Sequence, residues 1–212
     1  TFAQVLADEL GIPYEDIEIV EGDTDQVPHG TGSYGSRSAM LGGNVLVESA
    51  QKVIEQARPI AAHRLEASEA DVEFVDGEFR IAGAPTRSVG FQEVAQMAYR
   101  GRNIPSSAEP GLEATTFYQT ETTNPFGAHA AVVEVDAETG TVDIERYVAV
   151  DDCGEQINPT IVEGQIQGGV AQGIGQALYE EAVYDDSGTL VTGSMQDYAV
   201  PKSVHLPAFE TD

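Results

Sequence analysis

The chain has 212 residues, of which 36 are Asp or Glu and 10 are Lys or Arg, for a formal net charge of −26; 41% are hydrophobic. This length buries a sizeable core in one large or two small domains. The acidity excludes nucleic acid as a partner, because phosphate neutralisation needs a basic face, and no apolar run reaches the ~18 residues of a membrane span.

In chain order, Phe2, Val5, Leu6 and Leu10 are spaced as a helix that stops at Gly11-Ile12-Pro13. The chain opens mid-pattern on Thr1, which reads as a domain cut from something longer. Asp16 to Glu21 alternates as a strand. Gly30-Thr31-Gly32-Ser33-Tyr34-Gly35-Ser36-Arg37-Ser38 follows, a loop of glycines and small hydroxyls holding the first basic residue of the chain. Bare backbone N–H groups, hydroxyls and a guanidinium at the start of a helix suit an anionic ligand, above all a phosphate. The stretch Gly30–Gly35 also fits G-x-G-x-x-G, the dinucleotide fingerprint. That fingerprint requires a strand running directly into it, and six residues intervene here.

Leu46, Ala50, Val53, Ala57 and Ile60 predict a long helix that Pro59 kinks or splits. Val72–Val75 and Glu78–Ile81 predict a hairpin about Asp76-Gly77. Residues 88–100 predict a helix capped by Ser88 and closed by Gly101. Residues 103–111, with Pro105, Pro110 and Gly111, form a crossover. They divide the chain into a first half, 1–102, and a second half, 112–212.

Glu113–Gln119, Ala130–Val135 and Val142–Val150 read as strands, the last two joined by the turn Asp136–Gly140. Asp151-Asp152-Cys153-Gly154 then leaves a strongly apolar strand, a place where functional residues collect. Asn158-Pro159 predicts a helix start. That helix carries Gly164, Gly168, Gly169, Gly173 and Gly175, each costing about 1 kcal/mol against alanine. A backbone or ligand approaching closely is the physical offset. Gln165 lies among these glycines, able to donate and accept hydrogen bonds. Strands at 181–184 and 189–192 flank the turn Asp185–Gly188. The sum is an α+β fold of mixed or antiparallel sheets with packed helices.

Cys153, the single cysteine, excludes an internal disulfide and any CxxC motif, and points to a reducing compartment. The four histidines have no metal-ligand spacing. The acidity suits either an acidic surface for a cationic partner or adaptation to a salt-rich cytoplasm; acids scattered along the chain, with Lys52 and Lys202 the sole lysines, favour the second.

The chain resembles the molybdenum-binding large subunit of the xanthine dehydrogenase, aldehyde oxidase and carbon monoxide dehydrogenase family. The resemblance runs over nearly the whole chain. It is carried by Glu21-Gly22-Asp23-Thr24-Asp25, Gly35-Ser36-Arg37-Ser38, Asp136-Ala137-Glu138-Thr139-Gly140, Ile157-Asn158-Pro159 and Glu163-Gly164-Gln165-Ile166-Gln167-Gly168-Gly169. The Gly-Ser-Arg-Ser loop and Asp151–Gly154 are most similar to the carbon monoxide dehydrogenase branch. The resemblance implies a molybdopterin cofactor, in some members its cytosine dinucleotide form. Gly35, Ser36, Arg37 and Ser38 match the loop that binds its phosphate-bearing side, and Gln165 matches the glutamine that contacts the pterin and molybdenum region. Asp152, Cys153 and Asn158 lie in a segment near the cofactor.

The implied activity is oxidative hydroxylation of a small-molecule substrate in the cytoplasm. Electrons would leave through iron–sulfur clusters and FAD on an iron–sulfur small subunit and a flavin medium subunit, alongside the remainder of the large subunit. The family's Gly-Gln-Gly-His segment is expected before Thr1 and its general-base glutamate beyond Asp212, so no catalytic residue is assigned here and the span alone is expected to be inactive. Two other readings are open at this level: a binding or assembly module without chemistry, and a nicotinamide-dinucleotide enzyme using residues 30–35.

Overall fold

The computed structural model describes residues 1–27, 29–119 and 123–212. The chain divides into two compact units, Thr1–Glu121 and Thr122–Asp212.

In the first unit, α1 (Phe2–Leu10) ends where Gly11 turns left-handed at φ 60° and donates its N–H to the Ala7 carbonyl. Helix α2 (Ser38–Leu65) runs unbroken through Pro59. Its buried stripe of Ala50, Ile54, Ala57, Ala61 and Leu65 follows helical spacing. This stripe packs on the antiparallel meander β1 (Val72–Val75), β2 (Glu78–Ile81) and β3 (Ala84–Gly90). Phe79 is fully buried, its ring centroid 4.8 Å from that of Phe74. Helix α3 (Phe91–Arg100) closes the core with Phe91, Val94 and Ala98 and stops at left-handed Gly101.

The structure corrects the start of α3. Ser88 does not cap it; Ser88 is paired with Arg80 inside β3, and Gly90 is the N-cap. Burial of Val89 opposite Phe79 makes the strand the better use of these residues.

The strand expected at 16–21 does not form: Tyr14–Asp16 is a 3-10 turn and Ile17 is extended without a sheet partner. Nor is 113–119 a strand. Helix side chains hold its first residues instead. The Gln56 amide donates to the Glu113 carbonyl (2.9 Å) and accepts from the Glu113 N–H (3.2 Å), while Lys52 and Ser49 both donate to the Thr116 side-chain Oγ1. Both backbone groups of Glu113 are thus satisfied without a ladder.

In the second unit, β4 (Phe126–Val135) and β5 (Val142–Asp152) form an antiparallel hairpin. Asp136 folds its turn by accepting the N–H groups of Glu138 (2.8 Å) and Thr139 (3.2 Å), which holds its carboxyl below the ordinary aspartate value. Strand β6 (Phe209–Thr211) joins β5 in parallel, giving the order β4-β5-β6. Helix α4 (Pro159–Leu178) contributes Val170 and Ile174 to a small core with Ala149. The two strands expected at 181–184 and 189–192 reduce to one bridge, Tyr184 with Leu190. Thr192 Oγ1 takes the place of further ladder bonds, accepting from the Val183 N–H and donating to the Glu181 carbonyl. Among the described residues no helix is long and apolar enough to cross a membrane. The architecture is α+β with small antiparallel and mixed sheets.

Gly11 and Gly77, both at positive φ, meet backbone to backbone, and a Cβ on either would overlap the other's main chain. Because neither backbone can yield as a side chain can, Gly11→Ala is expected to lower unfolding stability by more than about 1 kcal/mol, measured by denaturant titration.

Candidate cofactor-binding site

The loop before α2 is held in one shape by its own side chains. Gly32, Gly35 and Ser36 all have positive φ, at 76°, 61° and 54°. Serine in the left-handed region carries a conformational cost of order 1 kcal/mol, and such residues gather at functional sites. The Arg37 guanidinium lies 3.7 Å over the centroid of the Tyr34 ring and donates to Thr31 Oγ1 at 2.7 Å. Ser33 and Ser38 share a hydroxyl–hydroxyl hydrogen bond. Arg37 is the N-cap of α2, no side chain caps that end, and no acid lies in the first turn. The N–H groups of the first turn and the partial positive end of a 28-residue helix therefore meet a guanidinium and hydroxyls in one exposed loop. Sequence reasoning singled out Gly35–Ser38 and passed over Thr31 and Tyr34, whose signal is a hydroxyl and an aromatic ring within six residues of the arginine.

No strand runs into this loop. Residues 23–27 form a turn in which the N–H groups of Gln26 and Val27 reach the Asp23 carbonyl; Pro28 lies outside the described residues. The βα geometry that a dinucleotide fingerprint needs is therefore missing among the described residues.

In the second unit the remaining candidates occupy one loop and the helix after it. Asp152 accepts the Gly154 N–H at 3.0 Å, and Gly154 turns at φ 75°. Cys153 is free and exposed. Asn158 caps α4 by accepting the Ile161 N–H at 3.2 Å. Gln165 follows two turns later on the same side of the helix and is exposed. Around it a Cβ built on Gly164, Gly168, Gly169 or Gly173 would meet no atom within 4 Å; only Gly175 packs, against Glu180 and Pro201. Four of the five helix glycines thus answer to no packing need among the described residues. Gly164 and Gly168 lie open beside Gln165, while Gly169 and Gly173 border the cavity between α4 and the sheet, so a group can come close to the helix beside a glutamine amide.

The end of β5 that carries this loop is braced. His129 Nε2 meets the Asp151 carboxylate at 3.0 Å, and its Nδ1 meets the Tyr147 hydroxyl at 3.2 Å. A Cβ at Gly127 would run into the Asp151 carboxylate. Sequence reasoning missed this cluster, because β4–β5 register alone brings residues 129 and 151 together. Arg146 grips Glu210 of β6 through two 2.6 Å hydrogen bonds. No group of three or more His, Cys, Asp or Glu among the described residues could hold a metal ion.

Residues 1–207 match the family described as a molybdopterin cofactor-binding domain. The chain belongs to this family. Its relatives include the carbon monoxide dehydrogenase large chain of Afipia carboxidovorans, 41% identical over 213 residues that cover 100% of this chain and 26% of that one. The nicotine 6-hydroxylase large subunit of Paenarthrobacter nicotinovorans is 42% identical over 214 residues, 99% of this chain and 26% of that one. Among solved structures, the Cu,Mo-CO dehydrogenase in its carbon monoxide reduced state superposes with a TM-score of 0.91 at 41% identity, covering 100% of this chain and 26% of that chain. The molybdopterin cofactor-binding domain described here therefore spans about a quarter of the length of these relatives.

The residues present suit the cofactor. The Arg37 loop offers donors for a phosphate, and Gly164 and Gly168 of α4 leave an open surface with an amide beside it. Asp152, Cys153 and Asn158, expected near the cofactor, also make hydrogen bonds within their own loop and cap, which shape the β5–α4 connection.

Hydrogen bonds from Arg146 hold the Glu210 carboxyl below its ordinary value. A lowered pKa contributes stability that is complete above the unfolded value, about 4.3, and is lost as pH falls through the folded one. Melting temperature measured against pH should fall across that acid window, and Glu210→Gln should flatten the fall while changing little near neutrality.

Proposed function

We propose that this chain is the cofactor-holding span of a molybdenum hydroxylase large subunit, one that oxidatively hydroxylates a small-molecule substrate as part of a cytoplasmic multi-subunit enzyme. The observation that carries the reading is the face of α4. A Cβ on Gly164, Gly168, Gly169 or Gly173 would meet nothing while Gln165 stands among them, in a chain of the molybdopterin cofactor-binding family.

In this reading Gly35, Ser36, Arg37 and Ser38 bind the phosphate-bearing side of the cofactor, in its cytosine dinucleotide form. Arg37 supplies a forked, charge-assisted donor, the serines supply hydroxyls, and the first turn of α2 supplies N–H groups. Gln165 hydrogen-bonds the pterin end, and the glycines beside it let that end lie close to the helix. Asp152, Cys153 and Asn158 fix the path of the chain into α4. When bound, the cofactor's molybdenum supplies the oxidising centre at which a substrate carbon is hydroxylated. The general base belongs to the part of the large subunit beyond Asp212. The iron–sulfur small subunit and the flavin medium subunit carry the electrons away.

Arg37→Ala combined with Gln165→Ala, made in the complete large subunit with its partners, removes one charge-assisted contact and one neutral one. Loss of a charged hydrogen bond is worth about 1.5–3 kcal/mol, so molybdenum and pterin content at limiting cofactor should drop roughly tenfold or more. Content equal to the unsubstituted enzyme would overturn the assignment.

The −26 charge supports adaptation to a salt-rich cytoplasm. Self-repulsion acts over a Debye length of about 10 Å at 0.1 M salt and about 3 Å at 1 M. The melting temperature should therefore rise steeply with salt over that range, and a flat dependence by calorimetry would contradict it.

A further inference from the structure

The sheet of the second unit carries an apolar strip on each face, beside the His129–Asp151 pair on one and the Arg146–Glu210 pair on the other. Side chains along β4 alternate, so Phe126, Ala128, Ala130 and Val132 share one face and His129, Ala131 and Val133 the other. On β5, Val150 and Val148 lie opposite Ala128 and Ala130 and belong to the first face. The second face is partly covered: Ala131, Val133, Ile144 and Tyr147 border a cavity of about 380 Å³ together with Gly169, Val170, Gly173 and Ile174 of α4, with Val133 still 49% exposed. The first face is open, with Phe126 73%, Val132 51% and Val150 48% exposed. A face made for water alternates apolar with polar residues, whereas near-continuous apolar runs are the mark of strands covered on both sides.

A second feature lies at the far end of the same face. Glu134 stands directly opposite Asp143. Like charges across a strand pair are destabilising unless a cation lies between them. None of the ion pairs among the described residues includes either one. The face thus offers an apolar strip from Phe126 to Val132 with Val148 and Val150, bordered by the Arg146–Glu210 ion pair and ending in a paired negative charge.

We propose that this face docks an amphipathic segment from the remainder of the same large subunit, with apolar side chains over Phe126, Val132 and Val150 and a Lys or Arg at the end that meets Glu134 and Asp143. The chain covers 26% of its relatives, so most of such a subunit lies outside this span and has to pack somewhere. A second copy fits poorly: it brings another −26 and sets the same acid pair against itself. The proposal rests on the reading that the chain is one span of a hydroxylase large subunit.

The test is photo-crosslinking in the complete, assembled enzyme, with Val132→p-benzoylphenylalanine and separately Val150→p-benzoylphenylalanine, the joined peptides being identified by mass spectrometry. Crosslinks to the same subunit outside residues 1–212 are expected. Crosslinks confined to residues 1–212, to another copy, or to a small or medium subunit overturn the proposal, as does none at either position. Molybdenum content of the same preparations separates the two readings. Metal retained without a crosslink removes the docking face and leaves the cofactor reading intact. The expected crosslink in the variants, with no molybdenum in the unsubstituted enzyme, does the reverse.

Discussion

The glycines of α4 are the constraint on which the second unit turns. A 20-residue helix with five of them is weak by propensity, so it stands by what holds its ends and one side. Asn158 caps its start, Val170 and Ile174 seat it on the sheet, and Gly175 lets Pro201 come close at its end. Gly164 and Gly168 are free to serve something other than the core. The same helix therefore gives the unit its modest interior and presents Gln165 on a bare surface. A more helical sequence would strengthen the element and remove the surface in one step.

Acidic residues in this chain do more than keep it dissolved. Asp136 and Asp185 each fold a turn by accepting neighbouring N–H groups, and Asp23 does so with Asp25 and the Gln26 side chain. Asp151 braces the end of β5 through His129, and Glu210 ties β6 to β5 through Arg146. Against that background Arg37 is the first positive side chain in the sequence, and it sits where backbone N–H groups also converge. Local field and overall field have opposite signs at that loop, which favours an anion there.

What could be read from the sequence follows from how local each signal is. The cap Asn158-Pro159, the turn at Asp136–Gly140, the stop at Gly101 and the hairpin about Asp76-Gly77 are chemistry within a few residues, and each stands in the structure as read. The family was legible because its motifs are equally local. Extended segments were harder. Residues 16–21 and 113–119 have strand-like patterns, yet a strand needs a neighbour, and for 113–116 the partners are side chains of α2 about 60 positions away in sequence. β3 was hidden by a serine that looked like a cap. The His129–Asp151 brace depends on register, including the shift between Val132 and Val133, which no alternation pattern announces.

The loop at residues 31–38 bears on kinetics as well as affinity. Arg37 already lies on Tyr34 and is tethered to Thr31, so the rotamer freedom of a long cationic side chain is lost when the chain folds rather than when an anion arrives. Such preorganisation favours fast capture and slow escape, and it depends on the planar guanidinium. A lysine at this position would keep the charge but could neither lie flat on the ring nor present a fork, so it would have to be immobilised anew at every encounter.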